Sequence, residues 1–397
     1  MAAGPDSAGS KAGEEPLARL RAGAAEVLPE GRLAEQLAGG RPLRIKFGVD
    51  PTSPDIHLGH AVVLTKLRAF QDLGHTVILI IGDYTARVGD PSGRDSTRPL
   101  LSPEQIEANG LTYQEQAFAV LDRGRTEVRR NSEWLAMESE QLFDLIRRFT
   151  VARLLERDDF TRRMVDAQPI SALELLYPVL QGYDSVAVEA DVELGATDQT
   201  FNLLFGRDVQ EAYGQAPQSI LTMPILVGTD GARKMSKSYD NYIGVTDPPE
   251  EMFGKLMSIP DQALGDYYLL LLAEPLDRER HPGEAKRELA RRLAERFHGE
   301  GAGARAEQRF DQVHVRRELP DEIEVARLPE GGDPVHMPAL LASEFGVSSS
   351  EARRLIDQGA VRLDGEPLAP GSLDLPAERL AGSVLQLGKR RFRRLEA

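Results

Sequence analysis

The sequence predicts an α/β protein: a doubly wound parallel sheet, followed by a helical domain and a small α+β domain. Three observations carry that expectation. Leu43 to Val49 has the composition of a strand. Val63, Leu67 and Phe70 then recur at helical spacing, and Gly74 stands where such a helix should stop. Thr76 to Ile81 is a continuous apolar run of strand length, as in a parallel strand buried on both faces. Strand, helix and strand within about forty residues make a βαβ unit, which implies a right-handed crossover.

The later elements follow in order. Helical patterns are expected at 104–122, 139–156 and 171–183. Val186 to Leu194 reads as a strand, and Leu221 to Val227 as another buried one. The first domain therefore covers 43–245, after an N-terminal tail and leading helix in 1–42. From Pro248 the pattern turns helical, with Leu289, Leu293 and Phe297 at four-residue spacing, which sets a helical domain at 246–317. Residues 318–337 are rich in Pro, Gly and acids and read as a linker. The last domain, 338–397, starts a helix at Ser349, with Ser348 and Glu351 at capping-box spacing, and turns a hairpin at Asp364-Gly365.

Bulk composition narrows the function. The chain of 397 residues has no cysteine, which excludes disulfides and thiolate metal sites. No apolar run has the length of a membrane span. Met1 to Pro16 is small and polar, lacks the apolar centre of a secretory signal, and reads as a disordered tail. A cytoplasmic protein with no membrane association is expected. The net charge of −15 argues against general affinity for nucleic acid. It is unevenly spread: residues 339–397 carry 9 Lys and Arg against 8 acids, so a local RNA contact stays open there.

Two short motifs carry the chemistry. His57-Leu58-Gly59-His60 falls where the first helix begins, with Asp55 as its expected N-cap. A helix N-terminus attracts anions through free N–H groups, and two imidazoles there add donors for phosphate or ribose oxygens. Gly59 would let a flat base lie against the backbone. Read alone, the tetrapeptide is equally well two ordinary histidines at a helix start. Lys234-Met235-Ser236-Lys237-Ser238 follows a buried strand. Most lysine-rich pentamers are solvated turns, but loops at the carboxyl ends of parallel strands face the ligand crevice. Ammonium groups there could neutralise charge gathering on a leaving pyrophosphate. Neither a Walker A sequence nor GxGxxG is present.

Other candidates surround these motifs. Gly48-Val49-Asp50-Pro51-Thr52 puts a carboxylate and a hydroxyl at the mouth of the first strand. Gly89-Asp90-Pro91-Ser92-Gly93 is a turn. Tyr177, Gln181 and Asp184 share one helix face at i, i+4 and i+7, as either a wet outer face or an inward polar stripe. Gly195-Ala196-Thr197-Asp198-Gln199 reads as a strand end entering a helix, where Asp198 could hold a ribose.

With those residues in place, the chain resembles the class I aminoacyl-tRNA synthetases, within them the tyrosyl branch of bacterial type. The similarity runs from about Leu43 to the C-terminus: HLGH is similar to the family's HIGH motif and KMSKS matches its namesake. Leu43 to Thr52, Tyr177 to Asp184 and Gly195 to Gln199 resemble the tyrosyl branch specifically, and the region from Met337 resembles an S4-type RNA-binding domain. The resemblance implies a Rossmann-like doubly wound sheet, then a helical, anticodon-side domain and a small α+β S4-like domain. It implies that L-tyrosine is activated with ATP and passed to the terminal adenosine of tyrosine tRNA, with Mg2+ accompanying ATP and no protein-bound metal. It further implies a homodimer.

Carried over by motif, His57, His60, Lys234 and Lys237 would be catalytic. Gly48, Asp50, Thr52, Gly59, Asp198 and Ser238 would join them around ATP. Asp90, Tyr177 and Gln181 would take the tyrosine ammonium and Asp184 its phenol, with Gln199 near the reacting carboxylate. Arg353, Arg354, Lys389, Arg390 and Arg391 would meet RNA phosphates. One departure matters: many members carry a tyrosine, a second phenol partner, where this chain has Lys46. Two other readings compete. An RNA-binding module on a retired synthetase scaffold should have lost a histidine or lysine of the two motifs, and all four are present. A tryptophan enzyme has no use for Asp184 facing a phenol.

Overall fold

The computed structural model describes residues 8–92, 101–314, 323–329, 333–388 and 391–396. It divides into two compact units, Met1–Ala304 and Arg305–Ala397. The first is built on a six-stranded sheet: β1 (Glu26–Leu28), β2 (Arg44–Val49), β3 (Thr76–Ile81), β4 (Thr126–Arg130), β5 (Val192–Ala196) and β6 (Ser219–Met223), in the order β1-β6-β5-β2-β3-β4. All neighbours are parallel except β1 on β6. The doubly wound α/β expectation holds. The chain winds from β2 to β3 and β4, then returns to place β5 on the other side of β2. That reversal opens a crevice at the carboxyl ends of β2 and β5.

Local sequence explains the core elements. β3, TVILII, is β-branched and apolar, with every residue after Thr76 buried. The Leu58–Asp72 helix buries Ala61, Val62, Leu64, Leu67 and Phe70, and Gly74, at φ +93°, turns the chain after it. The Ala172–Ala187 and Thr200–Ala212 helices pack through glycine: a Cβ on Gly182 would collide with Val209 and lie 3.2 Å from the Gly206 Cα. This contact lets the Ala172–Ala187 helix, with Tyr177, Gln181 and Asp184, lie close over the sheet.

Several boundaries differ from expectation. Ala8–Arg21 is a helix with Leu20 buried, so residues 8–16 of the expected tail are helical, and residues 1–7 lie outside the described residues. Glu26–Leu28 joins the main sheet. The 186–194 stretch is not one strand: its first residues close a helix, Glu189 turns at φ +49°, and β5 begins at Val192. The expected 139–156 helix is two, Ser139–Ile146 and Val151–Leu154. The expected 221–227 strand is β6, which ends at Met223.

The Pro249–Ser258 and Pro282–His298 helices fall in the first unit, where Tyr267 donates to the Val227 carbonyl at 2.8 Å.

The second unit has its own core, including Leu340, Leu341, Ile356, Val361, Leu385 and Leu395. Its strands are β7 (Val325–Arg327), β8 (Val335–His336), β9 (Val361–Leu363), β10 (Glu366–Pro367), β11 (Asp374–Leu375), β12 (Val384–Leu387) and β13 (Arg391–Glu396). Five form a sheet in the order β10-β9-β12-β13-β7, and β11 pairs with β8. The expected linker therefore contributes a strand, β7, parallel to β13; its residues 318–322 and 330–332 lie outside the described set. Ser348 caps the Ser349–Asp357 helix, accepting the Glu351 N–H at 3.2 Å. Asp364 and Gly365 turn the β9–β10 hairpin with φ +51° and +86°, the signature of a type I′ turn.

Among the described residues no helix is long and apolar enough to cross a membrane.

Candidate active site

The first helix is capped by a histidine. His57, not Asp55, is the N-cap of the Leu58–Asp72 helix: its Nδ1 accepts the Gly59 N–H at 3.2 Å, and its own N–H donates to His60 Nδ1 at 3.2 Å. The two imidazoles thus form a reciprocal capping box, a task the sequence reading gave to a carboxylate. An Nδ1 that accepts carries no proton, so each neutral ring holds its proton on Nε2. Burial pushes His57 down to about 2 and His60 to about 4, helped for His57 by His60 and for both by the Lys237 charge. Gly59 makes room for the cap: a Cβ there would stand 2.9 Å from the His57 ring.

The lysine motif is carried to this helix start by the backbone. Leu58 N–H donates to the Ile243 carbonyl at 2.9 Å, and Val245 N–H to the Ile56 carbonyl at 3.1 Å. Between them His57 and Gly244 form an antiparallel bridge. The loop itself starts as a narrow hairpin, with Gly228 N–H on Arg233 O and Met235 N–H on Leu226 O. Buried Asn241 braces it, accepting the Ser236 N–H at 2.8 Å and donating to the Lys234 carbonyl at 3.1 Å. Met235 points inward as an apolar plug, 5% exposed, between the two lysines.

Both motifs meet one cavity of about 920 Å³ at the carboxyl ends of β2 and β5. Of the expected site residues, Gly48, Asp50, Thr52, His57, Gly59, His60, Asp90, Tyr177, Gln181, Asp184, Asp198, Gln199 and Lys234 line it. Lys237 and Ser238 do not. Lys237 Nζ instead donates to Ser53 Oγ at 2.5 Å and pairs with Asp55 Oδ2 at 3.3 Å, on the loop that leads into the histidine cap.

Three carboxylates define the deep end. Asp50 accepts from Thr85 Oγ1 at 2.6 Å and from the Tyr177 hydroxyl at 2.9 Å. Burial pushes it up to about 7, with the Asp90 and Asp184 charges adding to the rise. The Tyr177 proton is committed to Asp50, so its oxygen can accept from a cationic ligand. Asp90 accepts from Ser92 N–H and Oγ at 2.9 and 2.7 Å and from Gln199 Nε2 at 2.7 Å. Asp184 accepts from Trp134 Nε1 at 2.8 Å and Asn131 Nδ2 at 3.4 Å, and burial pushes it up to about 6. Burial also raises Asp198, against the nearby Lys234 charge.

Sequence reasoning missed the supporting residues. Thr85 and Asn131 bridge Asp50 and Asp184, and Arg157 ties Ser92 to Asn202, which in turn holds Gln199. One signal was available: Trp134 is the sole tryptophan, three residues after Asn131. Lys46 is fully buried and does not line the cavity; its ammonium is held by Glu193, the Gln181 carbonyl and Ser185 Oγ. It supplies no second contact for a phenol. Among the described residues no group of three or more His, Asp and Glu is placed to hold a metal ion.

In the second unit Arg353 and Arg354 are exposed on the Ser349–Asp357 helix, with Arg354 paired to Glu351. Arg391 lies 5.6 Å over the Phe345 ring and donates to its carbonyl at 2.9 Å. Lys389 and Arg390 lie outside the described residues, as does Gly93 of the Asp90 turn.

Known proteins resemble this chain in sequence and in fold. A family model for class I tRNA synthetases of tryptophan and tyrosine matches residues 38–314, and an S4 domain model matches 339–373. The chain belongs to that class I synthetase family. Its curated relatives narrow the branch. It is 49% identical to the tyrosine–tRNA ligase of Thermotoga maritima, over 96% of this chain and 97% of that protein. It is 50% identical to the tyrosine–tRNA ligase of Moorella thermoacetica, over 95% and 94%. Among solved structures, a C-terminally truncated mitochondrial tyrosyl-tRNA synthetase from Aspergillus nidulans matches with a TM-score of 0.64 at 21% identity, over 75% of this chain and 93% of that one. The Archaeoglobus fulgidus tyrosyl-tRNA synthetase complexed with L-tyrosine matches with a TM-score of 0.59 at 23% identity, over 74% and 98%. At those identities the structures bear on the fold alone.

The depressed histidines carry a stability signature. A ring kept neutral by folding contributes stability that is full above the ordinary value of 6.5 and is lost as pH falls through about 4. For partly buried His60 the span amounts to at most on the order of 3 kcal/mol. Denaturation measured from pH 7 to pH 4 should show that loss in the native protein and a shallower one in His60→Gln; parallel curves would contradict a neutral His60.

Proposed function

We propose that this chain activates L-tyrosine with ATP to tyrosyl-adenylate and transfers tyrosine to the 3′-terminal adenosine of tyrosine tRNA. One observation carries the reading: neutral imidazoles from the first motif and a cation from the second line one cavity whose deep end is acidic. The substrate carboxylate is already a nucleophile, so no Ser-His-Asp set or acid–base pair is required. Positioning and charge stabilisation suffice.

The geometry supports a role for each residue. The tyrosine ammonium sits among Asp90, the Tyr177 oxygen and Gln181, and its phenol donates to Asp184, which Trp134 and Asn131 hold in place. ATP lies over Gly48 and Gly59, its ribose on Asp198, its phosphates reached by Thr52 and the Nε2–H groups of His57 and His60. Asp50 orients Tyr177 from beneath that nucleotide. The carboxylate, kept in line by Gln199, attacks the α-phosphorus, and the bond to the bridging oxygen breaks as pyrophosphate leaves. Lys234 meets the charge that develops. Lys237 and Ser238 come over the pyrophosphate when the loop closes, Lys237 exchanging Asp55 for phosphate. Mg2+ arrives with ATP as part of the substrate. The terminal adenosine hydroxyl then attacks the acyl carbon and AMP departs.

The work is divided along the chain. Residues 43–245 carry activation, 246–317 face the anticodon side, and the region from 338 binds RNA through Arg353, Arg354, Lys389, Arg390 and Arg391. A cytoplasmic homodimer completes the proposal. Five large apolar side chains stand exposed between residues 111 and 165, namely Leu111, Phe143, Val151, Met164 and Val165, and a second copy is the natural cover for them.

Pyrophosphate exchange into ATP, measured with each of the twenty amino acids, should depend on tyrosine; exchange with none of them, or with tryptophan instead, rejects the reading. Lys234→Ala and Lys237→Ala should each slow activation by about 10²–10³ with little change in tyrosine binding, as expected for groups that act on developing charge. Parallel loss of both would contradict those roles. Light scattering should return twice the chain mass of 43.7 kDa, and charged residues at Phe143 and Val165 should return the single mass.

A further inference from the structure

Lys46 and Glu193 form an ion pair sealed from solvent. They are register neighbours on β2 and β5, with Nζ and Oε1 2.8 Å apart and side chains 0% and 1% exposed. Burying two charges is costly, and replacing such a pair with apolar residues of similar volume is often neutral or stabilising. This pair is also fully bonded. Besides Glu193, the ammonium donates to the Gln181 carbonyl and to Ser185 Oγ, each at 2.8 Å, which uses all three of its protons. Glu193 Oε1 also accepts from Gln181 Nε2 at 3.2 Å, while Oε2 accepts from Ser185 Oγ at 3.2 Å and from the Gln218 amide.

Glu193 and Gln181 both line the cavity, and the bond between them sets how Gln181 faces it. An ionised carboxylate only accepts hydrogen bonds. Glu193 therefore selects one of the two orientations of the Gln181 amide, with the NH₂ turned towards itself and Oε1 left for a ligand. The opposite orientation would set an NH₂ donor against the substrate ammonium.

We propose that the Lys46–Glu193 pair is a positioning unit for the amino-acid substrate: it locks the Gln181 amide so that its oxygen accepts from the tyrosine ammonium. The inference rests on the tyrosine-activating reading above. It gives Lys46 a use that does not involve the phenol, and makes Lys46, Glu193 and Gln181 one recognition device in which Gln181 makes the contact to the ammonium.

The test compares L-tyrosine with 3-(4-hydroxyphenyl)propanoate, the same molecule without its ammonium. Binding of each is measured by calorimetry on the full chain, on Glu193→Gln, and on the charge-neutral double variant Lys46→Met/Glu193→Gln. The double variant carries the comparison if a lone buried lysine unfolds the single one. Tyrosine should bind about tenfold more weakly to the variants, the loss of one charge-assisted contact, while the analogue changes by no more than about twofold. In pyrophosphate exchange the KM for tyrosine should rise by the same factor, with kcat changing less. In a Gln181→Leu background, Glu193→Gln should add nothing further. Equal weakening of both ligands, or unchanged tyrosine affinity, overturns the inference and leaves the pair a structural element. Absence of tyrosine-dependent exchange in the unaltered protein overturns the functional reading instead.

Discussion

Two backbone hydrogen bonds hold this active site together. Leu58 to Ile243 and Ile56 to Val245 join the start of the first helix to the segment that follows the lysine loop. Nearly two hundred residues of chain separate the partners, yet the bridge anchors the base of the loop beside the imidazoles. Each motif is weak chemistry alone. An imidazole pair without a nearby cation binds phosphate modestly, and a lysine loop without a fixed partner is a solvated turn. The bridge joins them across a cavity that the reversal of strand order had already opened.

The histidine cap shows how one local device does two tasks. A serine or aspartate would end the helix equally well. A histidine ends it through Nδ1 and keeps Nε2–H as a donor for an anion, still uncharged. Neutrality matters beside a lysine, since a charged ring would repel its ammonium. Gly59 is part of the arrangement, because the ring lies where its side chain would be.

Much of this was legible beforehand because its signals are local. Strand β3, the helix stop at Gly74 and the Asp364-Gly365 turn each follow from a few adjacent residues. Thirteen expected site residues line the cavity, since motif spacing fixes which side chains face a ligand. The failures have physical causes. Val186, Val188, Ala190, Val192 and Leu194 alternate like a strand, but the first of them finish a helix that packs on glycine, and tertiary contact overrode the period. Asp55 looked like a cap by residue type, whereas a ring nitrogen took the position. The supports Thr85, Asn131 and Arg157 are scattered along the chain, and no spacing rule gathers them. Lys46 was conspicuous as an oddity, but its partner Glu193 is adjacent only once β2 and β5 are paired.

The indole that donates to Asp184 has an optical consequence. Trp134 is the chain's only tryptophan, and its N–H rests on the very carboxylate to which a phenol would bind. Its emission therefore reads the electric field around Asp184, at the deep end of the cavity, without background from another indole. The fold carries its own gauge of whether that end is filled, and no label has to be attached to see it.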